Sequence, residues 1–191
     1  IRTTYSVEQV ADIIPGVKSY AVDSTPADCV RVAHYYLNID YDIVLSGINN
    51  GYNLGEDIMY SGTLGAAEEG VLLGKKGIAF SAARNKFEGL EEALCNIFQY
   101  INNEKLINKS YLLNINIPNN YNSIKITKQR KTNFRTFYRQ ISDKVVSPEG
   151  TPDNSRQYDD INSDVITIDN NCISITPLII DRTDYKIFSN K

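Results

Sequence analysis

The sequence predicts an α/β fold, with helices layered on both faces of a mostly parallel sheet and a β-hairpin arm at the C-terminal end. Three observations predict it. Short β-branched runs alternate with segments of helical period through the first two-thirds of the chain, which implies parallel strands covered on both faces. A long loop rich in glycine and asparagine joins one such strand to the next helix, within Leu45–Gly70 (LSGINNGYNLGEDIMYSGTLGAAEEG). From Ile124 onward the alternation stops, and basic and aromatic residues take over. The 191 residues suffice for one core, so a single domain over 1–191 is expected, with 124–191 as its arm and C-terminal β extension.

Taken in order, Ile1–Val10 alternates β-branched residues and reads as a strand or half of a hairpin. Pro15-Gly16 is a turn, and Lys18–Val22 a second short strand. Thr25 is a good N-cap, with Pro26 at the first helical position and Asp28 at the positive helix end. That helix should run to about Asn38 with Val30, Ala33 and Leu37 on its buried face. The apolar run Tyr41, Ile43, Val44, Leu45 predicts a buried strand. After the glycine-rich loop, Ser61 is a candidate N-cap, and Leu64, Ala67, Val71 and Leu72 recur at helical spacing. Lys76–Ala82 reads as a strand and Phe87–Asn102 as a helix buried through Leu90, Ala93, Leu94, Ile97 and Ile101. Leu112–Ile117 (LLNINI) alternates apolar residues with asparagine, so a half-exposed strand is expected. Ile124–Thr127 is a strand. Lys128, Arg130, Lys131, Arg135 and Arg139 then interleave with Phe134, Phe137 and Tyr138 on a protruding arm. Ser147–Asp164 reads as a polar loop, and Val165–Ile168 with Ile173–Thr176 as a closing hairpin. The order of elements is Rossmann-like.

Composition removes several function classes. The net charge of −3 argues against long nucleic acid and against a membrane surface, despite the basic arm. No apolar run reaches the roughly 20 residues of a membrane helix, and no signal-peptide pattern opens the chain. Cys29, Cys95 and Cys172 are odd in number and widely spaced, so reduced buried thiols and a cytoplasmic location are expected. A single histidine, His34, excludes a multi-histidine metal hydrolase. Its place mid-helix among tyrosines suits packing better than catalysis.

The chemistry points to the loop. A strand, a loop holding Gly47, Gly51, Gly55 and Gly62, and a helix N-terminus together make an anion-binding corner. It contains no GxGxxG. It is not a Walker A loop either, since Gly70 to Gly74-Lys75 is one residue short and lacks the following Ser or Thr. A mere crossover rich in turn residues is the competing reading, against which stands the rarity of long functionless loops in compact domains.

The same residues carry a family resemblance. SGIN, NLG and YSGT followed by a small-residue helix resemble the signature of the SurE (survival protein E) family of metal-dependent nucleotidases. Thr25-Pro26-Ala27-Asp28-Cys29-Val30, Thr127-Lys128-Gln129-Arg130 and Ile173-Ser174-Ile175-Thr176-Pro177-Leu178 are similar to its other landmarks, in the same order. Ser24 and Tyr52 depart from the usual Gly and Pro.

The resemblance implies a metal-dependent 5′/3′-nucleotidase that hydrolyses nucleoside monophosphates to nucleoside and phosphate. It implies one divalent metal ion, Mg²⁺ or Mn²⁺, with Asn49 as a ligand. Ser61, Gly62 and Thr63 correspond to the family's phosphate contact, and Asn53 is a second amide near the substrate. It also implies a homodimer or tetramer built by exchange of the C-terminal arm, with Arg130 within reach of a phosphate. Family members open with a strand ending in Asn-Asp-Asp-Gly, whose aspartates bind the metal. That first βα unit is absent from this sequence, and Asp159-Asp160 does not replace it. The 191-residue stretch alone is therefore expected to be inactive, because one neutral asparagine holds Mg²⁺ poorly. The alternative is a non-catalytic nucleotide- or phosphate-binding module.

Overall fold

A computed structural model describes residues 4–85, 88–131, 134–152 and 161–188. Two strands, β1 (Val7–Ile14) and β2 (Val17–Val22), form an antiparallel hairpin around the Pro15-Gly16 turn. Of the expected strand Ile1–Val10, Ile1–Thr3 lie outside the described residues, and β1 begins at Val7 and extends to Ile14, because the turn dictates which residues pair. Helix α1 (Pro26–Arg31) starts at a reciprocal cap: the Thr25 hydroxyl accepts from the Asp28 backbone N–H, and the Asp28 carboxylate accepts from that of Thr25. It continues as one wider turn over Val32–Tyr36 and ends before Asn38, whose φ is +49°. Val32 is buried beside Val30, while Ala33 and Leu37 are only half-buried.

The central sheet contains β3 (Ile43–Asn50), β4 (Lys76–Ala82), β5 (Leu112–Ile117), β6 (Ile124–Ile126) and β9 (Ile173–Leu178). Its spatial order is β3-β4-β5-β9-β6; β3, β4 and β5 are parallel, and β9 is antiparallel to β5 and parallel to β6. Between them lie α2 (Gly62–Leu72), α3 (Leu90–Asn103) and the short α4 (Leu106–Lys109). Side-chain alternation across the pleat sorts the layers. Ile78, Phe80, Leu113, Ile115, Ile117, Ile173 and Ile175 meet Ala93, Ile97 and Ile101 of α3 on one face. On the other, Ala79 and Leu112 meet Leu64 and Ala67 of α2. This second contact is close: a Cβ on Gly77 would lie 2.2 Å from the Ala67 carbonyl oxygen. Leu72, expected on the buried face, is exposed, because the helix winds away from the sheet before Gly74 ends it.

Two strands differ from expectation in burial. β3 is an edge strand, and Leu45 is 52% exposed. β5 is central and wholly buried, asparagines included, because Asn114 and Asn116 bond the loop that crosses above them.

Beyond β6, an arm forms: β7 (Phe134–Ser142) pairs antiparallel with β8 (Val145–Pro152). The side chains of Phe134 and Arg135, and the whole of Asp159-Asp160, lie outside the described residues. The expected loop from Ser147 is thus strand as far as Pro152. Val165–Ile168 is not a strand but the middle of helix α5 (Asp164–Asp169), capped by the Ser163 hydroxyl. Val165 and Ile168, three apart, share one face. A last turn, α6 (Tyr185–Phe188), follows β9. Cys172 is buried as expected, but Cys29 and Cys95 are exposed; all three are free thiols. His34 packs its ring against Tyr35 and Tyr41.

Candidate phosphate and metal site

Helix α2 follows β3 on one face of the sheet and α3 follows β4 on the other. The β3/β4 boundary is therefore the point where the crossovers diverge, and ligands of open α/β sheets bind beyond the carboxyl ends of strands at such a point. Asn49, Asn50 and Gly51 stand there. The Gly51 N–H donates to the Ala82 carbonyl at 2.9 Å, and the Asn85 N–H donates to Asn50 Oδ1 at 2.8 Å, which ties the ends of the two strands together. Gly47, at φ +120°, passes so close to β4 that a Cβ would sit 2.4 Å from the Phe80 oxygen. Asn49 is half-buried, and its Nδ2 donates to the Gly51 carbonyl at 2.8 Å. Its Oδ1 is thereby the end of the amide left for a cation.

Asn53 lies deeper. Its backbone N–H donates to Asn116 Oδ1 at 2.8 Å, and its carbonyl accepts from Asn114 and Asn116 Nδ2, each at 2.9 Å. Its own Nδ2 donates to Ser81 Oγ at 2.7 Å. This box fastens the loop to the polar face of β4 and β5. Two residues on, the Gly55 N–H donates to Asp164 Oδ2 at 2.7 Å, and its carbonyl accepts from Gln129 Nε2 at 2.9 Å. Asp164 also accepts the Arg130 and Val165 N–H groups on Oδ1. Burial pushes its carboxyl up from the ordinary value, against those three N–H groups, which favour the charge.

Ser61 caps α2, its hydroxyl oxygen accepting the Leu64 N–H at 3.2 Å. Gly62 and Thr63 are the first helical residues, whose N–H groups have no intrahelical acceptor. Gly62 lets the start of α1 approach: a Cβ there would be 3.2 Å from Pro26 Cγ. Gly70, at the far end of α2, packs on Val44 near the start of β3, so the Ser61 end points to the same carboxyl edge as Asn49. The structure thus places Asn49, Ser61, Gly62 and Thr63 on one edge of the sheet, and Asn53 beneath it as an anchor.

For a divalent cation the fit is partial. Asn49 supplies one hard oxygen, but the described residues contain no group of three or more His, Cys, Asp or Glu side chains able to hold a metal.

Residues 1–136 match the family model for survival protein SurE. The chain belongs to the SurE family. A protein called 5′-nucleotidase SurE from Aquifex aeolicus is 36% identical over 181 residues, covering 88% of this chain and 71% of that protein. Another of that name, from Desulforamulus reducens, is 38% identical over 181 residues, covering 88% of this chain and 70% of its own. The crystal structure of the SurE protein from Aquifex aeolicus superposes with a TM-score of 0.78 at 32% identity, over 100% of this chain and 79% of that one. The SurE landmarks lie at the ends of elements or within them: SGIN is in the last part of β3, SGT opens α2 and SITPL is in β9. Sequence reasoning missed Ser81, Asn114, Asn116, Gln129 and Asp164. The LLNINI alternation is the signal for Asn114 and Asn116, since it puts two amides on one sheet face; Ser81, Gln129 and Asp164 have none.

Proposed function

We propose that this chain carries the phosphate-binding corner and one metal ligand of a metal-dependent 5′-nucleotidase. The phosphate of a nucleoside monophosphate would lie at the Ser61 end of α2. There the Gly62 and Thr63 N–H groups and the Ser61 and Thr63 hydroxyls meet the negative charge that spreads over the phosphoryl oxygens in the transition state. Water attacks phosphorus, the P–O bond to the nucleoside breaks, and the nucleoside oxygen takes up a proton to leave as an alcohol. A divalent cation, Mg²⁺ or Mn²⁺, would polarise a phosphoryl oxygen and lower the pKa of bound water. Asn49 Oδ1 is the ligand this chain offers it. The observation that carries the reading is the joint placement of Asn49 and the Ser61–Thr63 helix end on one sheet edge.

The non-catalytic module is the weaker reading, because the relatives that match most of the chain are called nucleotidases. Among the described residues no helix is long and apolar enough to cross a membrane, and a cytoplasmic enzyme acting on small nucleotides is the setting we propose. We further propose a homodimer or tetramer through the arm, where Phe137, Tyr138, Ile141, Val145 and Val146 are all exposed. The test is phosphate release from AMP by a chain in which an Asn-Asp-Asp-Gly strand precedes Ile1, with Mn²⁺ and with EDTA. Release that depends on the metal is expected; release indifferent to EDTA, or none with Mn²⁺, overturns the reading. The 191-residue stretch alone should release none.

A further inference from the structure

An open cavity of about 930 Å³ lies beyond the ends of β4 and β5, against the start of α3. Its lining includes Asn85, Glu88, Glu92, Asn96, Asn120 and Tyr121. We propose that it receives the nucleoside half of the substrate, the uncharged sugar and base; this rests on the nucleotidase reading and names the recognition site that reading lacks.

Three observations carry the assignment. The first is position. Asn85 lines the cavity, and its backbone N–H is held by Asn50, the residue after the metal-ligand candidate Asn49. The cavity therefore adjoins the ends of β3 and β4 next to Asn49, along the same carboxyl edge of the sheet. The second is a division of chemistry at one turn. Arg84 lies along Gly51, its Cγ and Nε each 3.8 Å from where a Cβ would sit, so its cation is on the phosphate side. Asn85, the next residue, faces the cavity with the carboxylates of Glu88 and Glu92. Carboxylates repel a phosphate dianion, but accept hydrogen bonds from ribose hydroxyls and from ring amino groups. Asparagine amides, which both donate and accept, suit the mixed edge of a base.

The third is a positioned ring. Tyr121 packs partly on the core, and its hydroxyl accepts from Asn96 Nδ2 at 2.8 Å. That bond fixes an aromatic face at the cavity wall, and base–aromatic stacking is tolerant of base identity. The volume is within the range of small-molecule sites.

The test uses amide NMR of the isotope-labelled chain, titrated separately with adenosine and with inorganic phosphate plus Mg²⁺. Adenosine should shift signals of Asn85, Asn96 and Asn120, and leave those of Ser61–Leu64 in place; phosphate should do the reverse. The exposed variants Glu92→Gln and Asn120→Ala, which leave the core untouched, should weaken adenosine about 5- to 10-fold each, within the usual net worth of a hydrogen bond. If phosphate shifts Ser61–Leu64 while adenosine shifts nothing at the cavity, the nucleoside site is overturned and the nucleotidase reading stands. If adenosine shifts the cavity while phosphate leaves Ser61–Leu64 unmoved, the nucleoside site is supported and the assignment of the phosphate to the Ser61 end of α2 fails. Adenosine binding that neither variant weakens also overturns the proposal.

Discussion

Asp164 accepts the backbone N–H of Gly55 at 2.7 Å, across 109 residues of sequence. Through this bond the loop that leads to Ser61 is fastened to the root of the arm, where Arg130 donates to the other carboxylate oxygen at 3.2 Å. Asp164→Asn can keep its oxygen on Arg130 and Val165, but it turns an NH₂ toward Gly55. It should cost about 1–3 kcal/mol, the penalty for a buried donor left unpaired. Urea denaturation reads the stability, and phosphate affinity at Ser61–Leu64 should fall as the loop loosens. An unchanged midpoint would show that the Gly55 bond contributes nothing.

The same carboxyl sets a pH dependence. Burial raises its pKa above the ordinary 3.8, so the folded chain holds this proton to higher pH than the unfolded chain does. Its contribution is fully present below 3.8 and is lost as pH rises through the folded-state value. Relative to Asp164→Asn, the native chain should therefore lose stability as pH climbs above 3.8 and through the raised folded-state value. Denaturation midpoints of the two proteins across that span test the sign, and parallel curves contradict it.

Gly77→Ala should destabilise strongly for a site so remote from the chemistry. The new methyl would meet the Ala67 carbonyl at 2.2 Å, and helix backbone cannot swing aside as a side chain does. A cost of about 1–3 kcal/mol is expected from overpacking, or about 2–4 °C of Tm per kcal/mol in a chain this size. Calorimetry that finds no change would mean α2 slides freely on β4.

Much of this was legible in the sequence, for reasons that differ by element. The Thr25 and Ser61 caps and the strand Lys76–Ala82 were read correctly because local chemistry determines them. The burial of β5 was not legible: Asn114 and Asn116 look like a solvent face until Asn53 is seen to need their amides. Helix α5 was misread as strand because its short β-branched run, Val165–Thr167, matches both periods, and only the Ser163 cap decides. Leu45 reads as core from hydropathy, but among the described residues no strand pairs with the free side of β3, and Leu45 is exposed there. For the candidate site, the family resemblance singles out Asn49 and Ser61–Thr63, whereas Asp164 acts from more than a hundred residues away and leaves no local mark.

The arm predicts assembly. Phe137 is 44% and Tyr138 68% exposed on opposite faces of the β7–β8 ribbon, with Ile141, Val145 and Val146 also exposed, more apolar surface than soluble monomers commonly leave open. Each large side chain buried at an interface contributes about 1.5–3 kcal/mol before association costs. Light scattering at micromolar concentration should give a dimer mass or larger, reduced toward a monomer by Tyr138→Asp with Val146→Asp. A monomer mass for the native chain contradicts the arm's role.

The most direct test of the central claim is the Mn²⁺ dependence of phosphate release from AMP, measured for the chain extended by an Asn-Asp-Asp-Gly strand and for the Asn49 variants of that protein. Asn49→Ala removes a metal-binding oxygen and should abolish turnover at low metal, whereas Asn49→Asp keeps an oxygen, adds charge and should retain the metal with altered activity. Near-native turnover of Asn49→Ala at low Mn²⁺ would remove Asn49 from the metal and contradict the account.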